Sequence, residues 1–114
     1  MHEMSIAHSL IEIVKEEMIK NDVRMLKAVR VHIGQMSAIV PESLSFCFEV
    51  MTSGTELEGT RLLMEIIPLE GVCTDCERAF EIQDFVFLCP QCGSRNIQTI
   101  AGRDLSIVEM EVES

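Results

Sequence analysis

The sequence predicts an α+β fold in which two helices pack on a small three-stranded sheet and a small cysteine-bearing domain is inserted. Three observations carry the prediction. Apolar residues recur at helical spacing from Ser5 to Lys20, apolar and polar residues alternate in two later segments, and two CxxC pairs fall where neither pattern holds. At 114 residues the chain is the size of one compact unit with an appendage, not of two large domains.

The first element is an amphipathic helix. Ala7, Leu10, Ile11, Val14 and Met18 form one stripe, Glu12, Lys15, Glu16 and Lys20 supply the opposite face, and Asn21-Asp22 breaks it. From about Lys27 to Gly34, Val29, Val31 and Ile33 alternate with Arg30 and His32, as in a half-buried strand. Pro41 followed by Glu42 suits the first turn of a second helix, whose Leu44, Cys47, Phe48 and Met51 share a stripe before Ser53-Gly54 ends it. Arg61 to Leu69, rich in Leu, Met and Ile, reads as a second strand more buried than the first. Val108, Met110 and Val112 alternate with Glu109, Glu111 and Glu113 in a third strand, so the chain returns to its core. Residues 1–70 and 101–114 are thus expected to form the α/β core, and 71–100 the inserted domain.

Composition narrows the function. Apolar residues make up 47% of the chain, but five Phe are its only aromatics, so aliphatic side chains and Met must fill the core. Nineteen acidic against nine basic residues give a formal charge of −10, which repels nucleic acid. No apolar stretch approaches the ~20 residues of a membrane span, and the opening MHEMSIAHSL lacks the pattern of an export signal. A cytoplasmic protein is expected.

Cys73, Cys76, Cys89 and Cys92 give the spacing C-x2-C-x12-C-x2-C. A two-residue gap lets a tight turn aim both sulfurs at one ion while its backbone N–H groups spread their charge, and Gly93 and Pro90 fit such a turn. Four thiolates suit tetrahedral Zn2+, and a filled shell leaves no place for water or substrate, so the site is structural and the domain zinc-ribbon-like. A rubredoxin-like iron site and a redox dithiol are the competing readings of the same residues. Cys47, on an apolar helix stripe, is expected to be a small buried hydrophobe without chemistry.

The chain opens Met1-His2-Glu3. A histidine near a terminus is ordinarily solvated and idle, and His8 and His32 read as surface or core histidines. A free amine, the adjoining amide nitrogen and the His2 imidazole can nonetheless close fused chelate rings on one ion. Such a near-planar nitrogen set suits Ni2+ or Cu2+. A shell so exposed exchanges its metal readily, as a carrier requires.

MHEMSIAHSL, the segment HIGQMSAIVPESLSFCFEV and the two CxxC pairs together resemble the HypA/HybF family of hydrogenase-maturation nickel metallochaperones, in order and over the whole chain. The resemblance implies that Met1, His2 and the backbone of Glu3 bind nickel, and that the four paired cysteines bind zinc. It implies delivery of nickel for [NiFe]-hydrogenase, and in some organisms urease, with no reaction catalysed by the chain. The implied partners are the GTPase HypB and the hydrogenase large-subunit precursor, and the implied state is a monomer or homodimer. Absence of a GxxxxGK[ST] phosphate loop fits the division of labour with a GTPase. Glu3 has three open roles: its backbone, its carboxylate, or a partner contact. A zinc-ribbon adaptor of transcription or translation is the alternative function, disfavoured by the charge and the shortage of aromatics.

Overall fold

The computed structural model describes residues 2–112, and side chains from Glu3 onward. The elements run α1 (His2–Lys20), β1 (Leu26–Gly34), a 3-10 turn (Gln35–Ser37), α2 (Pro41–Thr52), β2 (Arg61–Ile67), β3 (Glu70–Cys73), β4 (Ala79–Glu81), β5 (Ile97–Ala101) and β6 (Leu105–Val112). They make an α+β fold with two three-stranded sheets, ordered β2-β1-β6 and β4-β3-β5.

The expected helix stripe is the one buried: Ala7, Leu10, Ile11, Val14 and Met18 all lie in the core. α1 packs against α2, which contributes Leu44, Cys47 and Phe48. The end of α1 follows from Asn21-Asp22. Asp22 takes a left-handed conformation, φ 53°, and the Val23 N–H reaches back to the Met18 carbonyl at 2.8 Å, a Schellman-type stop. At its start α1 begins at His2, one turn earlier than the apolar stripe indicates, because a first helical turn needs no buried face.

The expectation that the second strand is the more buried fails. Leu26, Ala28, Val29, Val31 and Ile33 of β1 are buried, whereas β2 has no buried position and Ile66 is half exposed. The reason is position: β1 is central and flanked by both neighbours, and β2 is an edge. On β1, the Arg30 guanidinium sits 3.2 Å from Glu109 and 3.8 Å from Glu111, partly neutralising the acidic face of β6.

The chain parts into two compact units, one of described residues 2–31, 39–65 and 107–112, the other of 32–38 and 66–106. The second unit holds the small sheet, in which β3 is central and antiparallel to both β4 and β5. It also contains a close backbone crossing. A Cβ on Gly34 would lie 2.5 Å from the Gly102 carbonyl carbon and oxygen and 2.7 Å from the Asp104 nitrogen. The backbones approach this closely because the Gly34 N–H donates to the Asp104 carbonyl, and the Met36 N–H to that of Gly102. Gly34→Ala is therefore expected to destabilise by about 2–3 kcal/mol, since backbone has to move, as urea unfolding of the metal-loaded protein will measure.

Candidate metal centre

Each cysteine pair is set on the same turn. The Cys73 N–H donates to the Arg78 carbonyl and the Glu77 N–H to the Cys73 carbonyl; the Cys89 N–H donates to the Ser94 carbonyl and the Gly93 N–H to the Cys89 carbonyl. The residue after each second cysteine is left-handed, Glu77 at φ 65° and Gly93 at φ 76°. This reverses the chain so that both sulfurs of a pair point one way. Glycine tolerates that conformation and glutamate is strained by it, so Glu77→Gly is expected to stabilise the metal-loaded unit by about 0.5–1 kcal/mol. A rise in its thermal midpoint, absent from Glu77→Ala, is the check.

The two turns bring all four sulfurs within 4.8 Å of one another, with Cys73 to Cys92 and Cys76 to Cys89 each at 3.6 Å. Sulfurs about 2.3 Å from a tetrahedral zinc lie about 3.8 Å apart, so the two closest pairs already match that spacing and the whole cluster is within about 1 Å of it. The Gln91 and Cys92 N–H groups both point at the Cys89 sulfur, at 3.4 Å, and are placed to stabilise a thiolate. Electrostatics agree: the Cys92 N–H beside Cys89 outweighs the opposing effect of burial and lowers that thiol to about 6. Burial raises the Cys73 thiol, but the Cys76 and Asp75 N–H groups reverse the balance and lower it. At Cys92 the Ser94 N–H favours the thiolate, yet the adjacent Cys73 sulfur, with burial, pushes the thiol up to about 12. Sulfurs this close cannot all carry charge unless a cation joins them.

A second layer of polar contacts was not legible in the sequence. Asp75 accepts hydrogen bonds from the Ser94 hydroxyl and, at 3.1 Å, from the Asn96 amide, and these hold its carboxyl below the ordinary range. The Thr74 N–H donates to the Asn96 carbonyl at 2.9 Å. The first turn is thereby fastened to the exit of the second. The four cysteines form a tetrathiolate cluster compatible with a structural zinc site, in which protein sulfur could fill all four positions.

The N-terminal residues divide differently. Met1 and the His2 side chain lie outside the described residues; the His2 backbone opens α1. The Glu3 carboxylate accepts the Val40 N–H at 3.1 Å, a contact across 37 positions of sequence. His8 is exposed and 3.7 Å from Glu12, and His32 is half-buried on β1. Among the described residues neither joins a group of three or more candidate ligands. Cys47 is a free, buried thiol, as its place on the α2 stripe implies.

A family model described as "Hydrogenase/urease nickel incorporation, metallochaperone, hypA" matches residues 1–112. A hydrogenase maturation factor HypA of Geobacter metallireducens is 40% identical over 113 residues, covering 99% of this chain and 100% of that protein. The corresponding factor of Lawsonia intracellularis is 42% identical over 120 residues, covering 99% and 100%. The solution structure of the Ni metallochaperone HypA from Helicobacter pylori superposes with a TM-score of 0.74 at 26% identity, covering 98% of this chain and 97% of that one.

Proposed function

The chain belongs to the HypA family of hydrogenase/urease nickel-incorporation metallochaperones, and from that premise we propose that it captures Ni2+ at Met1, His2 and Glu3 and passes it on by protein contact. Its role is hydrogenase maturation, and the observation that carries it is the family match over residues 1–112. The alternative of a zinc-ribbon adaptor is not favoured: the match extends well beyond the cysteine segment, and a charge of −10 repels nucleic acid.

The chemistry assigns the two metals to different ends. Zinc held by four thiolates has a closed shell of protein sulfur and serves the fold. A cargo ion needs the opposite, a shell of few protein ligands open to a receiving protein. The Met1 amine, the His2 imidazole and a backbone nitrogen supply it, and their nitrogen donors suit Ni2+. On this reading residues 1–70 and 101–114 form the nickel-binding core, and 71–100 the zinc-binding domain.

The receiving protein is the hydrogenase large-subunit precursor, and urease maturation is a second destination. Energy for release comes from a GTPase, HypB, because the sequence carries no phosphate-binding loop. The chain itself catalyses no reaction. No helix among the described residues is long and apolar enough to cross a membrane. A reduced tetrathiolate is maintained in a reducing compartment, so the cytoplasm is the proposed location.

Nickel titration of the untagged, zinc-loaded chain tests the proposal. It should bind one Ni2+ with full retention of zinc. Nickel that displaces zinc from the cysteines, or a stoichiometric site that survives His2→Ala, overturns the assignment; tight binding of DNA or RNA at physiological salt revives the adaptor.

A further inference from the structure

The contact between Glu3 and Val40 does more than join two helices. Val40 is the N-cap of α2, with φ −88° and ψ 112°, and no side chain of that helix caps it. In a capping box the N-cap N–H is taken by a Glu or Gln at the third helical position. Pro41 opens α2, so that position is held by Ser43, which makes no such bond. The Glu3 carboxylate, reaching over from α1, takes the Val40 N–H in its place at 3.1 Å. Its negative charge is then set where the first turns of both α1 and α2 expose the positive ends of their peptide dipoles.

The consequence falls on the residues next to it. Glu3 lies in the first turn of α1, whose backbone nitrogens lack the preceding carbonyl that later amides bond. A chelating terminus loses affinity to the cost of ordering itself, and a fixed first turn reduces that cost. A carboxylate held nearby also offsets the repulsion between a divalent cation and the helix dipole.

We propose that the Glu3 carboxylate is a positioning group and not a nickel ligand: by capping α2 at Val40 it fixes the first turn of α1, and with it the backbone nitrogens offered to the metal. The inference rests on the N-terminal nickel site proposed above. What it adds to that site is the role of the Glu3 side chain, whose partner is the Val40 N–H.

Substitution on the donor side separates the two roles. Val40→Pro removes the N–H at the cost of the isopropyl group, which is about half exposed; the φ of Val40, −88°, is about 20° from that of proline, and every atom of Glu3 remains. Both Val40→Pro and Glu3→Ala are expected to weaken nickel binding roughly three- to tenfold, the range for one exposed hydrogen bond. Combined, they should weaken it no further than either alone. Glu3→Gln keeps an acceptor oxygen and should restore affinity to within about twofold of the parent. The visible absorption spectrum of bound Ni2+ should be the same in all four variants, since no ligand is removed. Far-UV circular dichroism and zinc content identify any variant that fails to fold. The proposal is overturned if Glu3→Gln binds as poorly as Glu3→Ala while Val40→Pro binds normally, or if the nickel spectrum changes in Glu3→Ala. His2→Ala run in parallel should lose binding almost completely; unchanged affinity there would overturn the underlying nickel site itself.

Discussion

Several residues added ahead of Met1, enough to carry the new free amine away from His2, are expected to weaken nickel binding by about 100-fold or more, exceeding the loss that follows removal of a supporting group in the outer shell. The extension converts the Met1 amine into an amide. It thereby breaks the outermost chelate ring while leaving the His2 imidazole, the helix and the cysteine cluster in place. Competition against a chromophoric chelator measures the loss, and zinc content and far-UV circular dichroism should not change. His2→Ala should have an effect of similar size through the other end of the same chelate. Two variants with no shared atom and one shared phenotype are difficult to explain by misfolding. If the extended chain binds nickel as tightly as the parent, the donors lie elsewhere.

Cys76→Ser is expected to release zinc and unfold residues 70–101 while α1, α2 and β1 remain. The sheet they contain has strands of four, three and five residues. Its buried side chains, Leu69, Cys73, Ile82 and Cys89, are too few to hold it, and two of them belong to the cysteine cluster. Zinc bound to a small domain supplies about 10–16 kcal/mol at neutral pH, so removing it removes nearly the whole folding energy of the segment. Amide hydrogen exchange should show protection lost across the small sheet and retained in the helices and at Val29, Val31 and Ile33. Chelation of zinc should reproduce the pattern. So should acid, because protons compete with the ion for thiolates. Loss of protection throughout the chain would mean that the helices depend on the metal as well.

Legibility in the sequence tracked the period of the pattern that carried each element. Nineteen residues of α1 offer five turns over which a stripe can repeat, and each apolar residue of that stripe is buried. The small sheet offered nothing comparable: β4 spans three residues, less than two alternations, so no face repeats along it. Burial of β2 was misjudged because apolar content reports what a strand tolerates, whereas its place at an edge is decided by topology. The cysteine site could be read at once, since ligand chemistry fixes spacing. Gly93 announced its left-handed turn and Glu77 concealed an identical one. The Glu3–Val40 bond links positions 37 apart through a main-chain N–H, which every residue but proline owns, so no residue type marks it.

The crossing at Gly34 and Gly102 bears on how the chain tolerates change in length. A Cβ on Gly102 would meet the Pro68 carbonyl at 2.4 Å and the Leu69 Cα at 2.6 Å, so the backbone leaves for the zinc-bearing excursion and comes back at nearly one point. The excursion is in polymer terms a closed ring. Closing a ring grows dearer only logarithmically, by about 0.6 kcal/mol for each doubling of its length. Insertions between the cysteine pairs, such as at the exposed Gln83–Phe85 turn, should therefore leave the α/β core unstrained, whereas a single methyl group at the crossing should not.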